Sequence, residues 1–249
     1  MEGREPVIGD AFGEVLQRCW SAGARPGTVF EVLERSDGAV WVSDTYHWFT
    51  PPERWPAPER WACKYASGRV LDIGCGSGRH ALVLADQGLD VIGLDPSPGA
   101  VAVAGARGVT VVEGGIDDVE RLGLFDTILL LGNNLGLLRS GSEASDLLSR
   151  IARVARPGAQ ILASSRDPHA VRDPIEIAYQ EWNRSAGRLP GQERFRIRHR
   201  NTATPWFDYL FVSLDELTEL IADSPWVLDD SFQERALYSV RLLLKDSGT

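Results

Sequence analysis

Apolar residues recur at three- and four-residue steps over residues 10–20, a period that predicts an amphipathic helix. Residues 28–33 and 39–42 then flank Asp37-Gly38, a dipeptide suited to a tight turn, and predict a small two-stranded cap. From residue 69 the rhythm changes. Residues 70–73, 90–95, 109–114, 125–131 and 160–165 are short, nearly continuous apolar runs, as expected of strands covered on both faces. Residues 80–88 return to helical spacing and end on Gly88, a residue suited to a helix C-terminus. In the last third, Pro174 opens a predicted helix over 173–182, and 194–200 alternates as a strand. Residues 201–205 turn the chain into 206–212, read as the sixth strand of the main sheet. Ser213 and Glu216 have capping-box spacing ahead of a helix reaching Ala222, and 237–244 reads as a last strand.

The chemistry concentrates at one corner. Asp72-Ile73-Gly74-Cys75-Gly76-Ser77-Gly78 follows an apolar strand and precedes a helix, so its glycines permit a tight turn against which a ligand can lie. Helix-start amides face the same crevice. A carboxylate at Asp72 would repel a pyrophosphate and attract an ammonium group, which disfavours a nicotinamide dinucleotide. Asp95 ends the next strand, where a carboxylate can accept two ribose hydroxyls.

These residues carry a resemblance. From about 69 to 167 the chain is similar to the core of class I S-adenosylmethionine (SAM)-dependent methyltransferases, with the acid-x-G-x-G-x-G corner at Asp72–Gly78 and the second acid at Asp95 in the same order. The resemblance implies an α/β fold: a Rossmann-like seven-stranded sheet, last strand antiparallel, flanked by helices. A cap and lid over residues 1–66 would pack on a core of 67–249, with a hairpin insertion around 192–206. It also implies SAM as methyl donor, with S-adenosylhomocysteine (SAH) as product, held by Asp72, Gly74, Cys75, Gly76, Gly78, Asp95, Pro96, Gly132 and Asn133. The family's adenine aspartate is replaced by Gly115, which moves that contact to Ile116 and Asp117. Gly132, Asn133 and Asn134 follow the fourth strand on the acceptor side, in a run similar to glycine N-methyltransferase-like enzymes.

Residues 44–61 are rich in aromatic side chains, whose faces suit cations such as a sulfonium or a methylammonium. His47, Tyr46 and Asn134 are the candidate catalytic residues; Trp48, Arg166 and Trp206 are candidates for acceptor binding. Arginines alternating through 194–200 would suit an anionic acceptor or a solvated strand face.

Composition narrows the rest. A formal net charge of −9 argues against a nucleic-acid partner and leaves a small-molecule acceptor, probed as an amine, a phenol or an acidic carbon. Three cysteines without ligand spacing predict neither a disulfide framework nor zinc and fit a reducing cytoplasm. No carboxylate cluster has the spacing of a metal site, and no apolar run is long enough for a membrane span, so no membrane partner is expected. The expected assembly is a monomer or a homodimer. A SAM-binding regulator without transferase activity and an NAD(P)-dependent oxidoreductase are the competing functions.

Overall fold

The computed structural model describes residues 5–245. In chain order the elements are β1 (Val7–Ile8), α1 (Ala11–Ser21), β2 (Phe30–Arg35), β3 (Val40–Asp44), α2 (Ala57–Cys63), β4 (Arg69–Ile73), α3 (Arg79–Asp86), β5 (Asp90–Asp95), α4 (Pro98–Ala106), β6 (Val111–Glu113), β7 (Phe125–Leu130), α5 (Gly141–Ala152), β8 (Ala155–Arg166), α6 (Pro174–Ser185), β9 (Gly191–His199), β10 (Thr202–Ala203), β11 (Phe207–Phe211), α7 (Leu214–Ile221), β12 (Trp226–Glu234) and β13 (Leu237–Leu244).

The main sheet has seven strands in the order β12-β13-β8-β7-β4-β5-β6. Four successive pairs from β8 to β6 are parallel, and β13 runs antiparallel to both neighbours. The last strand in sequence is therefore the reversed one, as expected. Its core is continuous: Leu71, Ile73, Ile128, Leu130, Ile161 and Leu242 are buried together with α5 and α7, and the Trp226 indole donates to the Leu148 carbonyl at 2.9 Å. Chain order reverses between β4 and β7, so the crevice at their carboxyl ends is the switch point where α/β sheets bind ligands.

Two expectations are corrected. Residues 206–212 are not the sixth strand of this sheet: β11 pairs with β9, Phe207 opposite Phe195, and the outermost strand is β12. The reason is burial. β11 turns an aromatic face inward, whereas β12 is exposed along most of its length and shows no apolar alternation. The hairpin β2–β3 is likewise not an isolated two-stranded cap. β2 pairs with β9 on its other edge, giving a six-stranded second sheet in which β9 also carries β10 and β11. A lone two-stranded hairpin is marginal in water, and the third strand supplies what it lacks. Helices α4 and α5 lay outside the elements read from the pattern; α4 is Ala/Val-rich on every side and has no polar face to mark its period.

Local signals were otherwise sound. Asp10 caps α1 by accepting from the Gly13 amide, and Ser213 with Glu216 forms the predicted capping box of α7. Where the two sheets and α6 meet, Arg35 is completely buried. It donates to Asp37, to Glu176 at 2.8 Å and to Glu193 at 3.2 Å, and its guanidinium lies 3.9 Å from the centre of the Tyr179 ring. Burial favours loss of its proton, but the Asp37 hydrogen bond and the charges of Glu193 and Glu176 outweigh that and hold its pKa above the ordinary arginine value.

Candidate active site

β4 delivers Asp72 and the glycine corner to the crevice. Gly74, Gly76 and Gly78 all have positive φ. At Gly74 a Cβ would lie 2.5 Å from the Asn134 amide nitrogen, so no side chain fits. At Gly76 the nearest atoms to a Cβ would be those of the Phe12 ring at 3.7 Å, an ordinary contact, so the backbone here is not crowded. The Asn134 amide donates to the carbonyls of Ile73 and Gly74 at 3.0 and 2.9 Å. Asn134, read from the sequence as catalytic, thus clamps the corner.

Asp72 is 1% exposed, and one of its carboxylate oxygens has no hydrogen-bond partner among the described residues. Burial raises its pKa, opposed by the charges of His80 and Arg79. Both side chains are themselves held by Glu59, which accepts from Arg79 at 2.7 Å and His80 at 2.9 Å. An orphaned buried carboxyl oxygen beside an open glycine backbone fits a ligand that brings an ammonium group, and disfavours a pyrophosphate.

Asp95 accepts from the amides of Gly76 at 2.8 Å and Ser97 at 2.9 Å, one on each oxygen. Each oxygen keeps a lone pair, enough for two hydroxyls. Burial pushes its pKa up to about 6 against those two hydrogen bonds. The rim is completed by a residue the pattern reading missed: Asp10 at the head of α1 accepts from the Ser97 hydroxyl and the Gly99 amide at 2.7 and 2.8 Å, holding Phe12 beside Gly76.

The other predicted positions differ in their surroundings. Cys75 is buried with its thiol raised by burial, and Pro96 is exposed beside Asp95. The Ile116 side chain enters the main core, and Asp117 pairs with Arg139 on the surface. Asn133 has φ +70°, donates its backbone amide to the Ser164 hydroxyl at 2.9 Å, and accepts on its carbonyl from the Tyr209 hydroxyl at 2.7 Å. Arg166 reaches Glu193 at 3.4 Å and Glu176 at 3.6 Å and lies over the Phe211 ring. Trp206 stacks on Arg196, which is paired with Glu34. Three of the alternating arginines are paired: Arg196 and Arg198 share the single carboxylate of Glu34, and Arg194 lies 3.9 Å from Asp208.

The short helix Thr45–Phe49 brings three further candidates over the corner. The Trp48 carbonyl accepts from the Ser77 hydroxyl, and its ring would lie 3.6 Å from a Cβ at Gly132. The His47 ring centre is 4.1 Å from that of Trp48, and Tyr46 lies beneath the Arg54 guanidinium. Among the described residues no group of histidine, cysteine and carboxylate side chains is arranged to hold a metal, and no helix is long and apolar enough to cross a membrane.

A parallel sheet with a reversed last strand, a glycine corner flanked by a buried acid, and a second acid on the neighbouring strand together define a SAM-binding α/β protein. Residues 70–158 match the family model described as a methyltransferase domain. A SAM-dependent methyltransferase from Bacteroides fragilis, solved in complex with SAH, superposes with a TM-score of 0.79 over 95% of both chains at 25% identity. In sequence the chain is similar to the cypemycin N-terminal methyltransferase of a Streptomyces species, 32% identical over 40% of this chain and 42% of that one. It is also similar to the 2-heptyl-1-hydroxyquinolin-4(1H)-one methyltransferase of Mycobacteroides abscessus, 33% identical over 46% of this chain and 59% of that one. The chain thus spans about half the length of these curated relatives. Over residues 70–158 it carries a methyltransferase domain, on the fold of a SAM-dependent methyltransferase.

Converting Asp95 to alanine is expected to weaken SAH binding by about 1–3 kcal/mol, the worth of hydrogen bonds to a charged acceptor. In the native protein, affinity is expected to fall as pH drops through about 6, because the proton taken up there removes an acceptor. Asp72, also raised by burial, acts in the same direction. Calorimetric titration with SAH between pH 5 and 8 checks both; an affinity flat across that range, or unchanged in the alanine variant, would move the ribose elsewhere.

Proposed function

We propose that this chain transfers the SAM methyl group to a small-molecule acceptor bound beneath the second sheet, with His47 receiving the acceptor's proton. The observation that carries the reading is the closure of that sheet over the carboxyl ends of β4 and β7. Trp48 packs at Gly132 on one side, and Tyr209 donates to Asn133 on the other. Burial raises the Tyr209 pKa, so its hydroxyl stays a donor. A roof fastened at both ends suits an acceptor small enough to be enclosed, which agrees with the compound named for the Mycobacteroides relative.

Donor binding rests on Asp72 for the ammonium group, Gly74, Gly76 and Gly78 for close backbone approach, and Asp95 for the ribose. Bound there, SAM supplies a methyl carbon activated by its sulfonium. The protein contributes alignment, exclusion of water and a destination for one proton. His47 suits that last task through its tautomer. Its Nδ1 lies 2.6 Å from the Asp44 carbonyl, which can only accept, so Nδ1 carries the hydrogen and the Nε2 lone pair is free. The Glu31 carboxylate stands 3.7 Å from Nε2, opposite the position at which a proton would be received.

Substituting His47 by glutamine is expected to lower kcat about 100-fold or more, the usual scale of general-base catalysis, and to leave SAH affinity within a factor of about two. Steady-state turnover of an accepted compound, paired with SAH titration, separates the two effects. A variant with native kcat would remove His47 from the chemistry. Saturable SAH binding with no methyl transfer to any amine, phenol or carbon acid would favour a donor-binding regulator instead.

A further inference from the structure

The roof has a definite chemistry on its inner face. Directly opposed residues of antiparallel strands share a face, and so do alternate residues along one strand. From Glu31 opposite Ser43, Leu33 opposite Trp41 and Ile197, Phe195 opposite Arg35 and Phe207, and Tyr209 opposite Glu193, all of these point the same way. Tyr209 fixes that direction, since its hydroxyl reaches Asn133 at the carboxyl end of β7. The face over the crevice is therefore aromatic, with two carboxylates set into it.

Those two carboxylates differ. Glu193 is matched by Arg35 and Arg166. Glu31 is 7% exposed and accepts only from neutral donors, the Trp48 indole at 3.1 Å and the Ser43 hydroxyl at 2.9 Å. Among the described residues no arginine or lysine nitrogen lies within 4 Å of it, and the one titratable neighbour is His47. A buried carboxylate without a fixed cation is costly, and the protein keeps this one beside the His47 lone pair and against the Trp48 ring. Both ring and carboxylate attract a cation.

We infer that Glu31 is the specificity-determining residue of the acceptor site, and that the acceptor is an amine carried on an apolar or aromatic scaffold. This rests on the proposed transfer to a molecule beneath the second sheet and names the acceptor's class. Glu31 pairs with the ammonium form on entry, while Trp41, Phe195 and Tyr209 cover the scaffold. The ammonium then gives one proton to His47 Nε2. The freed nitrogen pair forms the new N–C bond as the C–S bond breaks, and sulfur keeps that bond's electrons as the neutral thioether of SAH. Charge and atoms balance: one proton rests on His47, and the product leaves as a methylated ammonium.

The test uses the SAH-loaded full-length protein and two probes of nearly equal shape, 3-phenylpropylamine and 3-phenyl-1-propanol, titrated calorimetrically. The native protein is expected to bind the amine at least tenfold more tightly than the alcohol. Glu31→Gln should abolish that preference while keeping native SAH affinity, which also reports that the variant is folded. Equal binding of the two probes, an amine preference that survives Glu31→Gln, or no binding of the amine each overturns the inference. Should Glu31→Gln fail to fold, the native protein's preference decides alone. Failure of SAH itself to bind the native protein would instead overturn the donor site.

Discussion

Arg35→Ala is expected to destabilise the fold by about 3–5 kcal/mol, the range for breaking a buried ion cluster by removing one partner. The guanidinium is completely buried, and its loss leaves Glu176 and Glu193 facing each other with only Arg166, at 3.6 and 3.4 Å, to offset them. Burial already pushes Glu193 up against the pull of Arg166, so removing Arg35 deepens an existing penalty. The cation also stacks on Tyr179, so the same change opens a gap against α6. Urea denaturation of the native and variant proteins gives the difference directly, and adding Glu193→Gln to the variant should recover part of it. A loss below about 1 kcal/mol would mean that water enters and solvates the acids, and that the cluster does not hold the roof to the core.

The second large effect concerns the donor. Gly76→Val is expected to reduce SAH affinity on the order of 100-fold or more, from two causes. Residue 76 has φ +55°, where a β-branched side chain costs about 1–2 kcal/mol or more. The side chain would also extend past a Cβ that already touches the Phe12 ring, over the backbone surface against which the donor is proposed to lie. Calorimetry with SAH, with circular dichroism to verify folding, reads the outcome. An affinity within threefold of native would show that the donor does not approach this backbone. Gly74→Val makes a poor substitute, because the collision with Asn134 would disturb the corner itself.

The donor half of the site was legible because its determinants are local. Asp72, the three glycines and Asp95 lie within 24 consecutive residues, and each acts through a strand end or a turn that neighbouring residues dictate. The acceptor half was largely hidden because it is assembled across the chain. Glu31 occupies a strand that read as half of a small hairpin, and nothing in its neighbours marks it as inward-facing. Its role emerges once β2 is paired with β9, which begins about 160 residues later. Arg166 and Trp206 were placed at the acceptor by position in the chain alone. Local windows do not show that Arg166 is held by Glu176 and Glu193, or that Trp206 lies with Arg196. The segment with His47 and Trp48 stood out in the sequence through its aromatic density, a signal confined to neighbouring residues because the short helix carrying them is itself local. The misassigned sixth strand has the same origin. An alternating segment declares that it is a strand but not which sheet recruits it.

Because β2 and β9 are sewn together from opposite ends of the polypeptide, the roof has a birth order. During synthesis the hairpin emerges first and waits without its partner while the whole donor-binding half is made; only after residue 199 has left the ribosome can its free edge be covered. A change in either strand therefore has to stay compatible with a partner encoded about 160 residues away.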